Sequence, residues 1–308
     1  MAINTLATAA LFQKTLDQLA VQEAVTGWME ANASQVQYNG GAEVKIPKMT
    51  VQGLADYDRD EGYVQGAVTM EYETFKMTQD RGRKFQLDAM AVDEANFIPT
   101  ASTVMGEFQR TFVVPEIDAY RISALATKAI TAKQASEFTP KIGETAGLPA
   151  FVEFKKALKE VRKHYQGPLV AHVSSEFLLA LQLELAEKIQ TVTFSVGGIN
   201  TQVPSIDGVP LIETASDRMY SAITLNDGTT AGQEAGGYKK ATDGKDVNFL
   251  ITSRIAPLAV SKQDKMRIFT PDNFQKANAW AMDYRRFHDI WVRDNTVNQL
   301  FVSTVAAA

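Results

Sequence analysis

VKIPKM, GLADYDRDEGYVQG and AVTMEYETFKMTQDRGRKFQLD, residues 44–49, 53–66 and 67–88, decide how this chain folds. The first piece leads outward, the second is a charged, glycine-bounded tip, and the third returns and re-enters the body. On the return, Val68, Met70 and Tyr72 alternate with Thr69, Glu71 and Glu73, the period-two pattern of a half-buried strand. The stretch reads as a long β-hairpin with too few apolar residues to bury itself in its own domain. An arm of about a dozen residues per strand reaches on the order of 40 Å. An exposed edge of that length invites pairing with another chain. The hairpin therefore reads as a finger built to lie on a neighbouring copy.

The rest of the chain has an ordinary globular composition, 45% apolar and 22% charged over 308 residues. That suffices for one large domain or two modest ones with a sizeable core. The absence of cysteine excludes disulfides, thiolate metal sites and cysteine nucleophiles, and fits a reducing cytosol. The opening residues, MAINTLATAALFQKTLDQ, carry no basic leader. No run approaches the roughly 20 apolar residues of a membrane span.

Residues 5–31 place Leu6, Leu11, Phe12, Leu16, Leu19 and Val21 at helical spacing between polar residues. Two readings stand side by side: a mobile partner-binding arm, or a helix packed on its own body. Asn39-Gly40 then marks a turn. Residues 102–130 are the strongest helix candidate, with Pro115 predicting a kink near Phe112 or a break into two helices. After a glycine- and proline-punctuated connection at 138–149, Phe151, Phe154, Leu158, Val161 and Tyr165 share one helix face. PLVAHV at 168–173 reads as a buried strand, and Ser174 caps a leucine-rich helix over 175–189. A hairpin about Gly197-Gly198 follows, and then a strand at 247–252. The polar region 229–244 is the expected exposed loop. Helices and strands interleave, which indicates an α+β class. From Lys265 the chain returns to extended segments that can pair with the hairpin base. One domain would then be closed from both chain ends, with the middle inserted.

Reactive chemistry is sparse. His164, His172 and His288 belong to no metal or catalytic box and read as structural or surface residues. DYDRDEG at 56–62 superficially suggests a calcium loop. Glu61, however, stands where the sharp turn needs glycine, and Ala67 where a bidentate glutamate belongs. GQEAGGY at 232–238 lacks the spacing of a phosphate cradle, and no GxSxG occurs. No catalytic residue, cofactor site or metal site is assigned. The constellation singled out is instead one for interaction: Asp80, Arg81, Arg83 and Lys84 at the hairpin base. With Asp56, Asp58, Arg59 and Asp60 of the tip, these are the candidate contacts between subunits. Arginine forks fix carboxylate geometry and can set register. Asp88, Asp93 and Glu94 are the candidate carboxylate partners. Pairing inside one chain, tethering the hairpin to its own body, stands as the equal alternative.

VKIPKMTVQGLADYDR, the run 62–97, MGEFQRTFVVPEIDAYRISALA at 105–126 and KMRIFTPDNFQKANAWAMDYRRFHDIWVRDN at 265–295 together resemble the major capsid protein of tailed bacteriophages. The likeness runs from about residue 40 onward. It implies that family's fold: an N-terminal arm at 1–40, an extended loop at 41–80, and a peripheral domain at 81–137 and 261–308. The peripheral domain carries a long spine helix at about 102–130, and an axial domain of mixed sheet and helices fills 138–260. It also implies a shell-forming, non-enzymatic role: hexamers and pentamers of one subunit closing into an icosahedral head around double-stranded DNA. Assembly would take place in the bacterial host cytoplasm, with a separate scaffolding protein, a portal and a decoration protein as further partners. The net charge of −5 suits a wall that should not condense its contents, although an ordinary acidic protein has the same charge. Some shells of the family cross-link a loop lysine to a neighbour. Here the tip 53–66 holds no lysine, while Lys45, Lys48 and Lys76 lie toward the base, so no cross-linking is expected. The family's N-terminal scaffolding segment has no room ahead of this hairpin, which implies a separate scaffold or a processed form. A bacterial nanocompartment shell enclosing enzyme cargo is the alternative reading, and a cytosolic hydrolase a more distant one.

Overall fold

A computed structural model describes residues 24–35, 37–38, 43–60, 62–88, 101–143, 147–185, 189–196, 199–270 and 278–306. Strands β1 (Gln37–Tyr38), β2 (Glu43–Val51) and β3 (Val68–Lys76) form an antiparallel ribbon, and β4 (Gln79–Asp88) re-enters the body. Helices α1 (Ala101–Phe108) and α2 (Val114–Thr131) make one rod joined by a π-helical segment, Gln109–Val113. The disruption expected near Phe112 is this π-turn, in which Val114 N–H donates to Gln109 C=O. Pro115 falls in the first turn of α2, where its missing N–H is tolerated.

Short strand β5 (Ala135–Glu137) leads to α3 (Pro149–Arg162), β6 (Leu169–Ser174) and α4 (Ser175–Leu185). Ser174 caps α4 through its Oγ, which accepts from Phe177 N–H at 3.3 Å. The Glu184 carboxylate accepts from Ala150 and Phe151 N–H, each at 2.8 Å, and so holds α3 by its positive end. Next come β7 (Gln190–Val196), β8 (Ile199–Ile206), β9 (Val209–Thr214), β10 (Ile223–Leu225), β11 (Tyr238–Lys240) and β12 (Val247–Ser253). The chain closes with β13 (Pro257–Phe269), β14 (Ala279–Val292) and β15 (Leu300–Thr304). The turn at Gly197-Gly198 lies outside the described residues, though Val196 pairs with Ile199 across it. The region 229–244, expected as loop, also contributes β11, which pairs with β10.

A seven-stranded sheet, in the order β5-β15-β12-β6-β9-β8-β7, sits between two helical layers. Leu169, Ala171 and Val173 of β6 face α3 and α4, while Val170 joins the cluster around α2. Central strands read as apolar runs because both faces are covered. The closing stretch 300–304, expected to pair with the hairpin base, pairs into this sheet instead, beside 135–137. The reason lies in LFVST itself: Phe301 packs toward α3 and Leu300 and Val302 toward α2, so the strand needs covering on both sides.

The second sheet, β13-β14-β4, pairs the closing segment with the hairpin base, as expected. Met266, Met282 and Tyr284 face Met105, Val113 and Ile117 of the helical rod. The opposite face takes the root of the hairpin, where Val44, Ile46 and Met77 pack on Leu258 and Val260 beside Phe287 and Trp291. A bulge between Ser261 and Gln263 lets one strand serve both faces.

The segment assigned as an arm, 1–40, divides. Residues 1–23 lie outside the description. Gly27–Gln35, the far end of the expected helical pattern, is a 3-10 helix inside the body, with Trp28 and Met29 buried against α2. The physical reason is a set of charges. Glu30 is shared by Arg121 and by Arg286 (2.8 Å), and Asp118 accepts from Thr26 N–H at 3.1 Å and from Arg218 at 3.1 Å.

Candidate functional site

Nine rungs join β2 and β3, and directly opposed residues share a face. Val51/Val68, Met49/Met70 and Pro47/Tyr72 form an apolar ladder on one side, with Lys48/Glu71, Ile46/Glu73 and Val44/Phe75 on the other. The alternation in the sequence is present, but half-burial is not: Val68 is 67% exposed and Met70 58%. The body reaches only the root, where Val44 and Ile46 are buried and Lys48 Nζ lies 3.4 Å from the Glu73 carboxylate. The tip is compact. Asp58 and Gly62 exchange backbone hydrogen bonds (3.2 and 2.9 Å), and the Tyr57 and Tyr63 rings meet edge to face at 4.9 Å. Gly62 has φ +87, which only glycine adopts without strain. Asp56, Asp58, Arg59 and Asp60 are all exposed on this knob.

The four charged residues at the base find partners within the copy. Arg81 donates to both carboxylate oxygens of Glu116 on α2 (2.5 and 3.0 Å) and to the carbonyls of Asn226 (3.0 Å) and Gly237 (3.2 Å). Arg83 donates to Glu234 C=O at 2.9 Å. A Cβ on Gly228 would stand 3.0 Å from the Arg83 guanidinium. Asp80 accepts two hydrogen bonds from Arg285 (2.8 and 2.5 Å), which hold its carboxyl below the usual carboxylate range. Lys84 lies 3.9 Å from Asp283. Of the carboxylates expected from sequence as partners, Asp88 ends β4, and Asp93 and Glu94 lie outside the described residues. Glu116 was missed because it lies 35 residues on. Its one signal was its place in the first turn after Pro115, where a helix favours an acid.

These pairings build a groove of about 860 Å³ between β4, the π-turn and the glycine-rich loop 226–237. Its floor is aromatic: Phe108 meets Phe85 at 4.9 Å, Tyr284 at 5.9 Å and Phe112 at 6.0 Å. Arg81, Arg83 and His288 line it as well. His288 is buried and its Nδ1 has no hydrogen-bond partner. Burial, and then the charges of Arg286, Arg121 and Arg81, hold its pKa well below the ordinary histidine value.

Of the other histidines, His164 is exposed after α3. His172 lies in the core, where its Nε2 accepts from Trp28 Nε1–H at 3.2 Å and its Nδ1 faces Thr214 Oγ1 at 3.3 Å. Among the described residues, no cluster of metal-ligating side chains occurs, and no helix is long and apolar enough to cross a membrane.

No family model and no curated protein matches the sequence. Solved structures do match the fold. The capsid structure of cyanophage P-SCSP1u aligns with a TM-score of 0.60 at 10% identity, over 88% of this chain and 86% of that one. The asymmetric unit of the bacteriophage PhiM1 mature capsid gives 0.56 at 10% identity, over 88% and 84%. A protein of Gordonia phage Cozz gives 0.55 at 15% identity, over 86% and 81%. The fold is that of tailed-phage capsid proteins. At such identities the likeness is one of fold.

Proposed function

We propose that this chain is a major capsid subunit, a structural part rather than a catalyst, which assembles with itself into an icosahedral head around phage DNA. The observation that carries the reading is the apolar ladder of the hairpin, five of whose side chains are more than half exposed in a single copy: Met49, Val51, Val68, Met70 and Tyr72. A soluble monomer rarely leaves such a contiguous patch uncovered. The fold it shares with capsid structures supplies the setting. Each copy lends its hairpin to one neighbour and receives another, a heterologous contact that closes into hexameric and pentameric rings. Individually modest contacts accumulate because subunits within a lattice hold one another at high effective concentration. The virion is then its location, with assembly in the host cytoplasm aided by a scaffolding protein, a portal and a decoration protein.

Electron microscopy of the overexpressed chain tests this, with shells, tubes or rings expected. Removing residues 53–66 leaves a subunit with unchanged circular dichroism that forms no particle. Normal shells from the shortened chain, or only monomers from the intact one, would overturn the reading.

A further inference from the structure

We propose that Asp289, Thr78 and Tyr120 form a clasp through which helix α2 sets the direction in which the hairpin leaves the body.

The chain turns from the ribbon into the second sheet across two residues, Met77 and Thr78, between the end of β3 and the start of β4. The β4–β14 ladder stops at the Gln79/His288 rung, so the next pair in register would be Thr78 and Asp289. There the Asp289 side chain replaces the rung. One of its carboxylate oxygens accepts from Thr78 N–H at 2.8 Å and from Thr78 Oγ–H at 2.9 Å. The other accepts from Tyr120 O–H at 2.7 Å and from Ile290 N–H at 2.8 Å. Asp289 is buried, so these bonds are costly to leave unmade.

The hairpin root is held besides by packing. Val44, Ile46 and Met77 lie on Leu258 and Val260, and Phe75 stacks on Trp291 at 5.6 Å between ring centres. Apolar contact draws surfaces together without fixing a direction. Lys48 lies 3.9 Å from the exposed Asp294, a pair that water and salt weaken. Hydrogen bonds, by contrast, have preferred angles, and four of them converge on the one carboxylate at the corner. Direction comes from the clasp.

Tyr120 makes the clasp more than a local turn, because it belongs to α2. Its ring stands edge-on to His288 at 5.7 Å. Burial, and then the hydrogen bond to Asp289, raise its pKa above the ordinary tyrosine value, so the hydroxyl stays a donor. One oxygen of the carboxylate thus holds the helix and the other holds the hairpin's foot, and a tilt of either is passed to the other. The leverage is large. Strands of nine residues reach roughly 30 Å, so a turn of about 10° at the corner carries the tip about 5 Å.

The absence of cysteine lets spin labels enter at chosen positions. Val64→Cys at the tip and Leu183→Cys on α4 are both exposed sites. Labelled chains are diluted among unlabelled ones, so that electron–electron resonance reads only the distance within one copy. With no other change, one narrow distance is expected. Tyr120→Phe, which keeps the ring and removes only the hydroxyl, should shift or broaden it by about 5 Å, and Asp289→Asn by at least as much. Asp80→Ala, which breaks an exposed pair on the same strand, should leave it unchanged. Should Asp289→Asn fail to fold, Tyr120→Phe alone decides. A Tyr120→Phe chain that keeps the narrow distance, even at a lowered urea midpoint, overturns the clasp, because the hydroxyl then serves stability only. A distance already broad without it, or equally broadened by Asp80→Ala, overturns it too. Since the readout lies within one copy, a chain that forms no shells would sink the capsid reading and leave the clasp standing.

Discussion

Strands β12 and β3 carry similar apolar content and have opposite fates. Every residue of β12, VNFLITS, is buried, and its Phe249 and Leu250 contact helices on opposite sides of the sheet. In β3, VTMEYETFK, only Glu73 and Phe75 are even partly covered. A strand's apolar side chains are burial still owed, and β12 discharges it within the copy. The outer rungs of β3 do not, and none of the described residues buries them. The contrast separates residues that fold the subunit from residues that join subunits.

The largest expected effect tests the separation directly. Phe249 is fully buried beside Phe154 and Phe177, at 5.3 and 4.9 Å between rings. Phe249→Ala should therefore cost about 3–5 kcal/mol of stability, read as a lowered urea midpoint. Met70→Asp should leave that midpoint within about 0.5 kcal/mol, as surface changes do, yet abolish particles in sedimentation. A Met70→Asp subunit that unfolds early would break the comparison, because the hairpin would then be part of the subunit's own core.

How much of this was legible follows the same line. Period two in β3 told that its faces differ, but not which of them the body covers. The root takes the Val44–Ile46–Phe75 side because the bulge at Ser261/Gln263 turns Leu258 and Val260 toward it, and a bulge leaves no mark in the apolar pattern. Pro115 announced a break in the helix; whether the rod bends, splits or absorbs it as a π-turn depends on what packs alongside. PLVAHV read as a buried strand because both of its faces are apolar. The base arginines were visible as an interaction cluster, but Glu116 and the carbonyls of 226–237 become neighbours only through tertiary structure. LFVST was misplaced because its position late in the chain suggested the second sheet, while its unbroken apolar run Leu300–Val302, the better guide, called for a strand covered on both faces.

A smaller effect sharpens the contrast from inside the buried region. His172 on β6 is held neutral, its pKa lowered to about 4 by burial. In the unfolded chain it titrates near 6.5, so between these values the unfolded state binds more protons. Its contribution is complete above pH 6.5 and is lost as pH falls toward 4. Between pH 7 and pH 4.5 this amounts to roughly 2–3 kcal/mol. His288 adds acid loss of the same sign, whereas Asp118, raised by burial against the pull of Thr26 and Arg218, works in the opposite sense. His172→Gln isolates the one group: the variant should lose less stability than the parent across that interval in urea titrations. An equal loss in both would mean that His172 is not the group responsible.

The smallest effect lies at the hairpin root. Arg81 and Asp80 are adjacent on β4, yet Arg81 joins three elements through a partly covered fork, while Asp80 pairs diagonally across the β4–β14 ladder with an exposed Arg285. Exposed pairs are screened by water and salt and contribute little. Asp80→Ala should therefore leave both the denaturation midpoint and particle yield unchanged within error. Arg81→Ala should loosen loop 226–237, seen as faster amide exchange there, because it removes two of the contacts that hold the loop. If the two substitutions behaved alike, the root would be one undivided charged patch. The line between folding residues and joining residues would then have to be drawn further out along the hairpin.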